Sequence, residues 1–144
     1  MRQETAGTDS SMTASSSGAG IVKSFGPLKP VYSRRDKRGL FLEIINERSW
    51  EGIHYGEMHE GHHIGGSYHK VTEAFFFVLE GQVEVSSINV ATKKEELLLL
   101  GKDEGAYLRP FHVNTLSFKE QSKFILLKSH KFNSDNNDTY SMES

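Results

Sequence analysis

The 144-residue sequence predicts a single all-β domain, and three observations carry that prediction. Apolar residues come in short runs bounded by turn residues. Several runs alternate with a period of two, and no stretch of ten residues or more carries a helical stripe. Turn signals recur about every eight to twelve residues, as in a sandwich or barrel. The length suits one domain, and 36% hydrophobic content supplies one core.

Residues 1–20 hold eight Ser or Thr among Gly and Ala. Such a segment buries too little apolar surface to offset its ordering entropy, so it is expected as a disordered tail outside the 21–144 domain. The first strand is Leu40-Phe41-Leu42-Glu43-Ile44-Ile45, entered through Asp36-Lys37-Arg38-Gly39. Ile53 to His59 alternates weakly; with Ile53 and Tyr55 set inward, Glu57 and His59 follow. Phe75 to Leu79 is apolar on both faces and reads as a central strand. Glu80-Gly81 turns into the alternating Gln82-Val83-Glu84-Val85, and Leu97 to Leu100 is closed by Gly101-Lys102-Asp103-Glu104-Gly105. His112 to Phe118 alternates cleanly, so Leu116 and Phe118 in the core bring Asn114 and His112 to the same face. By the same parity Ser67 faces with His69. Phe124 to Leu127 is the last strand.

Seventeen Lys and Arg against nineteen Asp and Glu give a charge of −2, which makes nucleic acid an unsuitable partner. The absence of cysteine excludes disulfides, Cys-ligated metals and thiol nucleophiles. No apolar run is long enough for a membrane span. A cytoplasmic location is the default expectation.

Gly65-Gly66-Ser67-Tyr68-His69-Lys70-Val71-Thr72-Glu73-Ala74-Phe75-Phe76-Phe77-Val78-Leu79-Glu80-Gly81 resembles the first motif of the cupins, and Leu100 to Pro110 resembles the approach to the second. Asp36-Lys37-Arg38-Gly39-Leu40-Phe41-Leu42-Glu43 is similar to the opening of the dTDP-4-dehydrorhamnose 3,5-epimerase group. Phe132 to Tyr140 is similar to the ending of capsular-polysaccharide sugar epimerases. The resemblance spans roughly residues 31–140 and implies a double-stranded β-helix, or jelly-roll barrel, that forms a homodimer through residues 31–50. It also implies substrate contacts at Arg38 and Glu43 and a sugar or sugar-nucleotide ligand. Position by position, the metal-binding pattern is eroded: Ser67, Ala74 and Asn114 stand where the motifs carry His, Glu and His, and only His69 is kept. Ile64 and Ser67 replace the arginine and catalytic histidine of the epimerase-like stretch.

The pocket expected at the barrel mouth is Tyr55, Glu57, His59, Ser67, His69, His112 and Asn114, with His69 the candidate catalytic residue. Tyr55 and Tyr107 are candidate phenolic acids whose alternative role is packing. His62 and His63 are adjacent, so they cannot both face one point on a strand, and a solvated loop is the simpler reading. No cofactor is predicted. The alternative left open is a divalent transition metal held irregularly by His69, Glu73 and His112. Three functions fit these residues: a metal-independent epimerase or isomerase, a non-catalytic carbohydrate- or nucleotide-binding or regulatory cupin, and a metal-dependent cupin with an irregular ligand set.

Overall fold

The computed structural model describes residues 13–16 and 25–142, and among these every regular element is a β-strand. In chain order they are β1 (Thr13–Ser16), β2 (Tyr32–Asp36), β3 (Gly39–Glu43), β4 (Gly52–Met58), β5 (His63–Ser67), β6 (Ala74–Glu80), β7 (Val83–Asn89), β8 (Glu95–Leu100), β9 (Gly105–Leu108), β10 (His112–Phe118) and β11 (Ser122–Lys128). All pairings are antiparallel. Two four-stranded sheets, ordered β5-β10-β7-β8 and β4-β11-β6-β9, face each other as the barrel, and β1-β2-β3 forms a separate three-stranded sheet. The 1–20 segment was set apart from the domain on composition. Within it, Thr13–Ser16 pairs with β2; its other residues lie outside those described.

The barrel interior is filled by Phe76, Val78, Val83, Val85, Leu100, Leu116, Phe118 and Phe124, all buried. Phe76, Phe118 and Phe124 form an aromatic triangle with centroids 5.2–6.4 Å apart, a spacing that favours tilted and edge contacts. Phe75 and Phe77 point the other way, where Leu28, Leu42, Ile44, Ile45 and Trp50 cover them. The run Phe75-Phe76-Phe77 is therefore apolar on both faces because both faces of β6 are buried. Trp50 is fixed there by donating Nε1–H to the Glu47 carbonyl at 3.1 Å.

Strand β4 faces opposite to the expectation from its sequence. Ile53 and Tyr55 are 74% and 58% exposed, and Tyr55 pairs with Ile125 on the outer face. The cause is steric. Gly56 lies over the Phe124 ring, and a Cβ there would come within 2.3 Å of Cζ. Only glycine lets β4 close over Phe124, and this register turns Gly52, His54 and Gly56 inward. Glu57 consequently points outward with Tyr55.

Candidate functional site

One end of the barrel is polar, and the strand register shows why. Across one sheet, directly opposed residues form the row Glu96–Ser87–Asn114–Ser67. Across the other, the matching row is Leu108–Ala74–Lys128–Gly52. Both rows sit one step beyond the apolar interior on the same inward parity, so the core gives way to a mouth carrying charged and hydroxyl groups.

A cleft of about 510 Å³ opens at this mouth. Its wall includes His54, His69, Lys70, Lys128, His130 and Lys131, which come from β4, the β5–β6 connection and the end of β11. The wall also includes Glu51 and the rest of the segment 130–140, which crosses the mouth as a strap. Tyr68 and Tyr140 exchange both backbone hydrogen bonds at 2.9 Å, which fastens the far end. At the near end the Lys131 N–H donates to Glu51 Oε1 at 2.9 Å. Lys70 Nζ lies 4.2 Å from the centre of the Tyr140 ring, a cation–π contact.

Asp138 is the strap's main fastener. Its carboxylate accepts the backbone N–H groups of Lys70 and Val71, each at 2.9 Å, and of Thr72 at 2.7 Å. Burial works against its ionisation, but these donors outweigh it and hold the carboxyl at about 2. Lys70, Lys128 and Lys131 stand on the cleft wall against the carboxylates of Asp138 and Glu51, which leaves a small cationic excess.

His69 completes the wall. Its Nδ1 bonds the Asp138 carbonyl oxygen. A carbonyl only accepts, so Nδ1 carries a proton, and in the neutral form of the ring Nε2 is the lone-pair nitrogen. Asp138 thus sets both the strap and the tautomer of His69. Sequence patterning does not reveal this pairing, because residues 130–142 have no periodicity and Asp138 reaches 66 to 69 positions back along the chain.

Of the residues singled out from sequence, His69 lines the cleft. Ser67, His112 and Asn114 face inward beside it without forming its wall. His112 Nδ1 donates to the Pro110 carbonyl at 2.9 Å, and Asn114 Nδ2 donates to the His112 carbonyl at 3.1 Å. Tyr55, Glu57 and His59 are corrected as mouth residues. Tyr55 Oη donates to Glu57 Oε2 at 2.7 Å on the exposed face, which raises the phenol, and His59 Nδ1 bonds Gln121 Oε1 at 2.8 Å. Arg38 forms a tight ion pair with Asp36 on the β2–β3 hairpin, and Glu43 stands opposite Tyr32 in the same hairpin. Both lie on the sheet that is separate from the barrel sheets.

Glu73 is corrected as a metal ligand. It falls on the outer parity with Phe75 and pairs with Arg48 at 3.0 Å, against Tyr107, whose phenol burial and Glu73 push up to about 12. It therefore lies on the opposite face from His69 and His112. Among the described residues no three His, Asp or Glu side chains group as a metal ion requires. With Ser67, Ala74 and Asn114 at three of the four motif positions, the residues do not fit the metal that cupins commonly hold.

Comparison of the sequence with protein-family models and with curated proteins finds no match. Solved structures do match. The dTDP-4-dehydrorhamnose 3,5-epimerase from Sulfolobus tokodaii superposes with a TM-score of 0.67 at 19% identity, covering 77% of this chain and 73% of that one. The sugar 3,4-ketoisomerase QdtA from Thermoanaerobacterium thermosaccharolyticum, in complex with TDP, gives 0.65 at 16% identity over 83% and 88%. The capsular polysaccharide assembling protein CapF from Staphylococcus aureus gives 0.60 at 18% identity over 78% of this chain and 34% of that one, so the chain spans about a third of CapF. The fold is that of the cupins, of the type found in sugar epimerases and ketoisomerases. Among the described residues no helix is long and apolar enough to cross a membrane.

Proposed function

We propose that the chain is a sugar-nucleotide-modifying cupin that binds its ligand in the strap-covered cleft and transfers a proton without a metal. The observation that carries this reading is the bond from His69 Nδ1 to the Asp138 carbonyl, which leaves Nε2 as a base on a cationic wall. Lys128 and Lys131 supply ammonium groups for a diphosphate, whose oxygens take charge-assisted hydrogen bonds. A carbon next to a sugar keto group is the acid such a base can serve: Nε2 takes its proton and the C–H electron pair passes into the enolate. Return of the proton to either face of that carbon gives epimerisation, and its return to the former carbonyl carbon, with the adjacent hydroxyl proton passing to the enolate oxygen, gives isomerisation. Three of the neighbouring structures hold TDP or TDP-4-keto-6-deoxyglucose, which makes these compounds the natural probes. A homodimer through residues 31–50, where Leu40 and Phe41 are 40% and 49% exposed, belongs to the same reading, as does a cytoplasmic location.

Calorimetry with TDP tests the ligand class. Binding is expected to weaken steeply with salt, and Lys128→Gln with Lys131→Gln is expected to cost about tenfold or more per lysine. Salt-independent binding, or full affinity in the double variant, contradicts the reading. Erosion of the motif positions favours a second reading, a non-catalytic binding module. Incorporation of solvent deuterium into TDP-4-keto-6-deoxyglucose separates the two: binding without incorporation selects the module.

A further inference from the structure

The other half of the mouth is closed, and its polar groups are incompletely used. Arg109 follows β9 and turns back over the row Glu96–Ser87–Asn114–Ser67. Its Nη2 donates to Glu96 Oε1 at 2.8 Å and to Ser87 Oγ at 3.2 Å. Phe25 lies over the guanidinium, 4.7 Å from ring centre to Cζ. Two buried atoms in this cluster have no hydrogen-bonding partner: Arg109 Nε, a donor, and Asn114 Oδ1, an acceptor. Ser87 links the two residues: its Oγ accepts from Arg109 Nη2, and it stands directly opposite Asn114, a position where paired Cβ atoms are about 5 Å apart. A buried donor and acceptor left unsatisfied are costly, and a stable barrel keeps such a pair only with reason.

The chemistry of the pair selects its partner. A phosphate, carboxylate or keto oxygen accepts from Arg109 Nε but has no proton for Asn114 Oδ1. An ammonium group donates and cannot accept. A hydroxyl, of a sugar or of water, does both through one oxygen. We propose that Arg109 and Asn114 form an inner subsite for a hydroxyl of the hexose, reached when Phe25 swings aside. The subsite extends the reading of the cleft and rests on it: the diphosphate binds at the lysines, and the sugar reaches across the mouth to the row below.

Calorimetry comparing TDP with TDP-glucose tests this. The wild type is expected to bind TDP-glucose about tenfold or more tightly than TDP, the worth of a well-made buried hydrogen-bonding site. Arg109→Lys keeps the charge beside Glu96 but has no Nε–H, and Asn114→Leu removes the acceptor. Each is expected to bring TDP-glucose to within about twofold of TDP while TDP itself changes little, and Asn114→Asp, which keeps an acceptor oxygen, is expected to retain the preference. Should Asn114→Leu fail to fold, Arg109→Lys carries the same test. Equal wild-type affinity for the two compounds, or a preference that survives both Arg109→Lys and Asn114→Leu, overturns the subsite and assigns the two atoms to water, with the cleft reading untouched. Failure of both compounds to bind overturns the cleft reading and the subsite together.

Discussion

Replacing His69 with glutamine is expected to lower the rate of deuterium incorporation into TDP-4-keto-6-deoxyglucose by about 10²–10⁴, the usual worth of a positioned general base. Affinity for TDP is expected to stay within a few-fold. The separation follows from geometry. Glutamine keeps an amide N–H for the Asp138 carbonyl, so the strap remains in place, while the basic Nε2 is lost. A purely structural histidine behaves otherwise: its replacement leaves the exchange rate per bound substrate unchanged, or weakens binding and rate together.

The second large effect is expected at Asp138. Three backbone N–H groups converge on this carboxylate, and its pKa falls from 3.8 to about 2. Because the folded-state pKa is depressed, the carboxylate's contribution is fully present above about pH 4 and is lost as the pH drops through 2. By linkage the depressed pKa stabilises the folded state at neutral pH. Asp138→Ala is expected to cost about 1–3 kcal/mol, since three donors around residues 70–72 lose their acceptor together. It is also expected to weaken TDP binding, because the strap forms a wall of the cleft. Hydrogen exchange of the Lys70, Val71 and Thr72 amides checks it directly. Their protection is expected to fall in the variant at pH 7, and in the wild type between pH 4 and pH 2, with the barrel strands still protected. Unchanged protection in the variant rules out the carboxylate as the fastener.

The barrel was legible because its strongest strands carry their own pattern. Phe75 to Leu79 is apolar on both faces, Val83 and Val85 alternate with polar residues, and Leu116 with Phe118 fixes the parity of β10. Strand β4 defeated the same reasoning. Its largest apolar side chains, Ile53 and Tyr55, lie on the outer face of an edge strand, while its inward face is Gly52, His54 and Gly56. Apolar content does not fix facing where a bulky neighbour demands glycine, and Phe124 makes that demand. His54 was consequently missed and Tyr55 put in its place.

The site was harder to see than the fold. His69 came from its place in the motif, but the groups around it come from segments whose local patterns say nothing of each other. Lys128 ends a strand, Lys131 begins an aperiodic strap, and Arg109 precedes a proline. Only the register brings Lys128 opposite Ala74 and Ser87 opposite Asn114. The Phe132-to-Tyr140 ending resembles a family stretch in sequence, yet its physical role lies in contacts remote along the chain: Asp138 gathers the backbone of residues 70–72 and sets the proton on His69.

The most direct test of the account is a crystal structure of the wild-type protein with TDP. Density for the diphosphate is expected in the cleft beside Lys128 and Lys131, with His69 Nε2 facing the open mouth and Asp138 still bonded to residues 70–72. Diphosphate density elsewhere on the surface, with an unaltered strap and an empty cleft at saturating TDP, would contradict it.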